Sequence, residues 1–272
     1  MILPLLVAVL AACGSEEVDD VTPSTTRRTS TNIGGSDFII PPGSSWQWQL
    51  DGEIDTTLDV EMYDIDLFEA PQDVIDDLRA QGRTVICYFS AGSFEEGRPD
   101  ADQFPVEALG ETLENWPDEK WFDIRHPGVR TVLKLRLDLA VDKRCDGVEP
   151  DNVDGYSNDS GFRITSSDQL DFNRFLAAEA HGRGLSVGLK NDLDQVVELE
   201  PAFDWALNEE CVDWDECEAL MPFIDAGKAV FHVEYGEASL ATNVCAETVP
   251  LGFSTLIKQS ELDAWRVACP AP

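Results

Sequence analysis

Basic residues are scarce in this chain. Lysine and arginine together number 19 against 53 aspartates and glutamates, a net charge of −34 over 272 residues. A surface that acidic repels phosphate backbones and anionic headgroups, which excludes nucleic acid as a partner, and it attracts polycations. A general role of acidity in solubility, for instance in a salty habitat, accounts for the charge equally well. Histidine is scarcer still, with only His126, His181 and His232 present, and no CxxC pair occurs. That leaves too few ligands for a zinc site, and we expect neither a metal nor a cofactor. No GxGxxG or GxxxxGK[ST] follows a strand-like run, which removes the common nucleotide-binding readings. No HExxH marks a metallohydrolase helix, no GxSxG marks an acyl-transfer serine, and no internal repeat is evident.

Long apolar runs are lacking too. The longest opens the chain in MILPLLVAVLAACGS; it is too short to span a bilayer as a mature helix but has the length of a signal-peptide hydrophobic region. Leu10-Ala11-Ala12-Cys13 resembles the lipobox of bacterial lipoproteins, where cleavage precedes a cysteine that is then lipidated. The run departs from that pattern in having no Lys or Arg before it, and a plain secretory signal is the alternative. We expect residues 1–12 to be a signal peptide and Cys13 to carry lipid. The protein is then exported and held to a membrane, periplasmic or at the cell surface, through that N-terminal lipid only. Residues 13–41 are rich in Ser, Thr, Asp, Gly and Pro without aliphatic clustering, so they cannot bury a core and read as a flexible linker. Residues 42–272 form one unit, about 230 residues, the size of a single α/β barrel.

Six cysteines follow Cys13, an even number that in an exported chain favours disulfides. Closeness in sequence favours Cys211 with Cys217 and Cys245 with Cys269. Cys87 sits in an apolar strand and suits either a buried free thiol or a bond to Cys145.

Short apolar runs alternate with helical patterns, the mark of βα units and a parallel sheet. Strands are expected at 46–50, 60–68, 84–90, 147–153, 185–190, 205–208, 229–234 and 254–257. Helices are expected at 71–81, 129–143, 166–183, 195–199 and 216–226. Ser166, Ser167 or Asp168 can cap the third of these before the stripe Leu170, Phe172, Phe175, Leu176 and Ala180. Eight strands alternating with helices predict a single-domain (β/α)8 TIM barrel, with a doubly wound open sheet as the alternative.

Barrel enzymes place chemistry at the C-terminal strand ends, and here those ends are rich in carboxylates. Tyr63-Asp64-Ile65-Asp66 follows the second strand and Tyr88-Phe89-Ser90-Ala91-Gly92-Ser93 the third. The fourth runs through Glu149-Pro150-Asp151-Asn152-Val153-Asp154, and the fifth ends in Lys190-Asn191-Asp192. The sixth ends in Asn208-Glu209-Glu210-Cys211, the seventh in His232-Val233-Glu234-Tyr235. Glycoside hydrolysis needs one ionised and one protonated carboxyl flanking the scissile bond. Aromatic stacking of sugar rings is available from Trp46, Trp48, Tyr63, Tyr88, Tyr156, Trp205 and Tyr235. Structural roles compete: Glu149 can orient Lys190, Asp64 and Asp66 can cap the next helix, and only one of Glu209 and Glu210 is expected to face the cavity.

The segments from Cys87 to Ser93, Trp121 to Arg125, Cys145 to Asp154 and Val187 to Asp192, with Asn208-Glu209-Glu210-Cys211 and Val233-Glu234-Tyr235, carry a resemblance. In order and spacing they resemble the endo-α-1,4-polygalactosaminidases, glycoside hydrolase family 114. The resemblance implies a (β/α)8 barrel that hydrolyses partly deacetylated α-1,4-galactosamine polymers, with a retaining mechanism. It implies Asp151 as nucleophile and Glu209 as general acid/base. Burial or a like charge must then raise the pKa of Glu209 if it is to act as an acid near neutral pH. A cationic amino-sugar polysaccharide suits the acidic composition. Asp64, Asp154, Asp192 and Glu234 are candidates to pair with its ammonium groups, and Tyr88, Ser90, Asn152, Lys190 and Tyr235 complete the expected substrate contacts. The alternatives are a non-catalytic carbohydrate-binding lipoprotein on the same barrel, and an esterase or deacetylase, for which neither a metal triad nor a nucleophilic serine is present.

Overall fold

The computed structural model describes residues 40–271. The expected signal peptide, Cys13 and almost all of the linker lie outside the described residues. Strands in chain order are Trp46–Gln49 (β1), Met62–Asp66 (β2), Thr84–Ser90 (β3), Ser93–Glu95 (β4), Leu109–Leu113 (β5), Trp116–Phe122 (β6) and Gly147–Asp151 (β7). They continue with Ser186–Lys190 (β8), Trp205–Glu209 (β9), Val230–Tyr235 (β10), Ser254–Lys258 (β11) and Val267–Ala268 (β12). The helices are Gln72–Ala80 (α1), Pro127–Asp142 (α2), Ser166–His181 (α3), Val196–Leu199 (α4), Met221–Asp225 (α5) and Ala241–Thr248 (α6).

Eight strands run parallel in the order β1-β2-β3-β7-β8-β9-β10-β11, curled as a TIM barrel, and each overlaps one expected strand run, with β9, β10 and β11 ending one residue later than expected. Between β11 and β1 the C-terminal segment joins the two edges. β12 pairs antiparallel with β11, Leu50 N–H donates to Leu262 O, and the Trp46 indole donates 2.9 Å to Ser254 O.

Alternation along each strand separates two cores. Trp46, Trp48, Ile86, Trp205, Leu207, Phe231, Val233 and Leu256 pack together inside the barrel. Residues offset by one, such as Ile65, Val85, Val148 and Val187, pack with Ile75, Leu133, Leu137, Phe172 and Leu176 of the helices. Gly188 is required by this arrangement, since a Cβ there would lie 2.3 Å from the Trp205 ring. Helix α3 is capped one residue earlier than expected: the Thr165 hydroxyl accepts from Asp168 N–H at 3.2 Å, and Asp168 accepts from Thr165 N–H at 2.9 Å, a reciprocal capping box.

The 58-residue Cys87–Cys145 link settles the open pairing of Cys87, tying the outer face of β3 to the end of α2. Cys211–Cys217 and Cys245–Cys269 pair as expected. One feature was not expected: β4, β5 and β6 form an antiparallel sheet inserted between β3 and α2.

Candidate active site

The inward-facing positions at the ends of β7, β8, β9 and β10 are Asp151, Lys190, Glu209 and Tyr235, and they converge at the top of the barrel. Lys190 is the hub. Its Nζ lies 3.1 Å from Glu149 Oε1, 3.1 Å from Asp151 Oδ1 and 3.2 Å from Glu209 Oε2, and 4.7 Å from the centroid of the Trp48 ring. Burial works against its charge, but Asp151, Glu149 and Glu209 together hold it firmly as an ammonium. Asp151 also accepts from Tyr88 OH at 3.1 Å and from Asn152 N–H at 2.6 Å. Glu209 accepts from Tyr235 OH, and from Asn191 Nδ2 at 3.1 Å. Asn191 Oδ1 in turn accepts from Glu209 N–H at 3.0 Å, which fixes that strand end.

Beyond the ends of β7, β8 and β9 the backbone is left-handed: Asn152 (φ 60°), Asn191 and Asp192 (47° and 48°), and Glu210 (63°). Asn and Asp tolerate that region better than most side chains. The turn swings the chain out of the strand, so that Asn191 reaches Glu209 while Asp192 reaches Asn173 Nδ2 at 2.8 Å. Strain of this kind gathers where function over-determines the backbone.

Below the hub lies a second, sealed layer. Glu149 accepts from the Trp48 indole at 3.0 Å and is wholly buried, so it does orient Lys190. Burial raises its carboxyl to about 7, against the lowering pull of Lys190. Asp64 is also wholly buried beside it, and neither of its oxygens has another partner. Burial and the neighbouring Glu149 push Asp64 well above the carboxylate range, so it carries the proton of the pair.

Above the hub opens a cleft with a cavity volume of about 920 Å³. Asp151, Asn152, Asp154, Lys190, Asp192, Glu209, Tyr88, Tyr156 and Tyr235 all line it, so most of the expected site is gathered in one place. Three expected contacts are not. Asp64 lies a layer below, inside β2 rather than after it. Ser90 is wholly buried and accepts from Asn152 Nδ2 at 2.9 Å. Glu234 is 4 % exposed; its Oε1 takes the Val212 N–H at 2.8 Å and lies 3.1 Å from His232 Nε2, so it supports the loop after β9. The expected stacking aromatics need the same correction. Trp46, Trp205 and Tyr63 are sealed in the two cores and present no face to a sugar. Of Glu209 and Glu210, only Glu209 joins the hub, yet Glu210 also lines the cleft wall.

Carboxyls elsewhere in the cleft are displaced upward. Burial, then Asp151, takes Asp154 to about 6, and burial, then Asp154, takes Asp192 to about 8. Burial takes Glu119, on the inserted β6, to about 7. Glu209 goes the other way. Burial would raise it, but Lys190 and the hydrogen bonds from Tyr235 and Asn191 hold it below the ordinary glutamate value. The raised pKa expected of Glu209 is therefore absent in this arrangement. The residue types at the strand ends did not disclose Asn191 as the clamp on Glu209; its signal is an Asn directly after an inward-facing lysine. Glu119 and two exposed indoles, Trp116 and Trp214, also line the cleft and come from segments whose role the pattern did not reveal.

Among the described residues one grouping has metal-ligand spacing, Cys211, Cys217 and His232. Both sulfurs are joined to each other, and the two ring nitrogens of His232 lie 3.2 Å from Thr255 Oγ1 and 3.1 Å from Glu234. That grouping is a structural knot under the loop.

The profile of Glycoside-hydrolase family GH114 matches residues 27–271. Ega3 from Aspergillus fumigatus, solved in complex with galactosamine, is 42% identical with a TM-score of 0.84, the match covering 88% of this chain and 100% of that one. The glycoside hydrolase domain of PelA from Pseudomonas aeruginosa matches at 15% identity and a TM-score of 0.65, over 84% of this chain and 98% of that one. A GH18 chitinase from Pseudoalteromonas aurantia matches at 10% identity and a TM-score of 0.51, over 80% and 94%. The last two likenesses concern the fold alone. No curated protein matches the chain.

Proposed function

The chain belongs to glycoside hydrolase family GH114 and is a glycoside hydrolase, and from that we propose that it cleaves α-1,4-linked, partly deacetylated galactosamine polysaccharide with Asp151 and Glu209. The observation that carries the pair is the hub. Two inward carboxylates on β7 and β9 are bridged by one buried ammonium, each within 3.2 Å of Lys190 Nζ, under an open acidic cleft. The galactosamine bound to Ega3 supports the sugar class. Thirteen carboxylates line the cleft against only Arg98 and Lys190. Both of these cations are engaged by carboxylates, which leaves a field suited to a cationic chain.

Two oxygens that share one ammonium are closer than the 6.5–9.5 Å or so that leaves room for a water in inverting enzymes, which supports retention. An Asp151 oxygen bonds to the anomeric carbon as the glycosidic C–O bond breaks and Glu209 gives its proton to the leaving oxygen. Glu209 then takes a proton from water, whose oxygen attacks the same carbon and releases Asp151. Glu209 must hold a proton at the start, while its present contacts favour the ionised form. A sugar filling the cleft adds burial, the contribution that raises Glu209, so the group is expected to titrate higher in the complex than in the free enzyme. The basic limb of kcat should accordingly lie at higher pH than that of kcat/KM.

The test is reducing-sugar release from partly deacetylated α-1,4-polygalactosamine by wild type, Asp151→Asn and Glu209→Gln. Release by wild type and a loss of at least about 10²-fold in each variant is expected. No release by a folded wild type that still binds the polymer would turn the reading to the binding protein. We also infer export and anchoring through Cys13. Partition of wild type into detergent phase, and of Cys13→Ser into the aqueous phase, is the expected result; equal partition would remove the anchor.

A further inference from the structure

Four of the seven tryptophans, Trp46, Trp48, Trp121 and Trp205, are buried. Trp116 and Trp214 are instead 57% and 68% exposed, and both line the cleft. A lone exposed apolar side chain needs no explanation. Two indoles lining one polar cleft, each carried on a fastened segment, do.

Trp116 opens β6 at the tip of the inserted hairpin, paired with Leu113 across a turn in which Asn115 is left-handed (φ 70°). The base of the hairpin is anchored, because Phe122 at its far end is wholly buried and stacks on Phe104 with centroids 4.5 Å apart. Trp214 sits in the loop closed by Cys211–Cys217. Its own N–H donates to Glu210 O at 3.1 Å, Glu216 N–H donates to Cys211 O at 2.9 Å, and buried Glu234 takes the Val212 N–H. A short disulfide loop fastened from beneath, whose one large apolar side chain is left in solvent, is built to present that side chain.

Strand order places the two supports. The insertion follows β3 and the disulfide loop follows β9, with β7 and β8 between them. Trp116 therefore rises on the Asp151 side of the hub and Trp214 on the Glu209 side. We propose that these indoles are sugar platforms for units of the polysaccharide on either side of the cleaved bond. Apolar ring faces of the sugar cover the indoles, as amphipathic aromatic surfaces favour, and Glu114 beside Trp116 and Glu216 near Trp214, which also line the cleft, face its ammonium groups. This rests on the amino-sugar hydrolase reading above and adds where the chain is held.

The experiment uses α-1,4-galactosamine oligomers of three to ten units, with Trp116→Ala, Trp214→Ala, the double variant, and Val197→Ala as a control at an exposed apolar site outside the cleft. Titration calorimetry measures binding and reducing-end assay measures turnover. Each tryptophan variant should weaken binding of the long oligomers roughly tenfold, with the loss shrinking as oligomers shorten, while Val197→Ala matches wild type. Affinities equal to wild type at every length, or losses equal at every length, would overturn the platforms. A wild type that binds in this length-dependent way but releases no reducing ends sinks the hydrolase reading and leaves the platforms standing.

Discussion

Glu209 and Asp192 sit in one cleft, at the ends of neighbouring strands, and both are carboxyls withdrawn from water. Burial pushes both upward, yet Glu209 ends below its ordinary value and Asp192 at about 8. The difference is the company each keeps. Glu209 has Lys190, Tyr235 and Asn191 as donors. Asp192 has only the neutral Asn173 and Tyr156 as donors, and the charges acting on it, Asp154 first and then Asp194, are like-signed. One buried ammonium thus divides the cleft: Glu209, which it touches, is held low, while Asp154 and Asp192 beside it are raised.

Removing the ammonium should collapse the distinction and give the largest effect. Lys190→Met leaves Asp151, Glu149 and Glu209 without their shared cation, and breaking a buried pair from one side costs about 3–5 kcal/mol. We expect Tm to fall by on the order of 10 °C at pH 7 and turnover to fall at least about 10²-fold. The stability loss should shrink as pH falls and the stranded carboxylates take up protons. A pH-independent loss measured by thermal melts would mean that packing, not charge, is what Lys190 provides. Tyr235→Phe is a smaller perturbation of the same side. It removes one donor to Glu209, so the Glu209 pKa should rise and the basic limb of kcat/KM move to higher pH, with a maximum reduced on the order of tenfold. An unmoved limb would show that Tyr235 does not hold the Glu209 charge.

The barrel was legible from the chain because each inward and outward row carries its own signature. Val85, Val148 and Val187 alternate with Ile86, Gly147 and Gly188, and the runs end in polar residues. The insertion was not. Residues 93–122 contain charged strands and a Glu114-Asn115 turn, and their pairing depends on aromatics far apart in sequence, such as Phe104 and Phe122. Asp64 was misplaced for a geometric reason: β2 runs on to Asp66, so Asp64 pairs with Trp48 and Ile86 within the sheet, a layer below the strand ends. Residue type names a carboxylate, but only the register says whether it meets the substrate or stays beneath it. The same limit applied to tryptophan, since Trp46, Trp48 and Trp205 fill the inner core while the exposed pair came from segments without periodicity.

The finest test addresses the proton-holding side. An Asp whose folded pKa is raised, here from 3.8 to about 8, makes the folded state pay for its charge at high pH. That penalty is absent below the unfolded value, where both states are protonated, and is fully present above the folded one. Asp192→Asn keeps the shape and the bond to Asn173 while removing the charge. It should therefore raise Tm modestly at pH 8.5, converge with wild type as pH falls toward 4, and leave the Glu209 limb of kcat/KM little moved, because the two carboxyls answer to different neighbours. A variant less stable than wild type at pH 8.5 would mean that Asp192 is ionised and paired in the fold, and the division of the cleft by Lys190 would have to be redrawn.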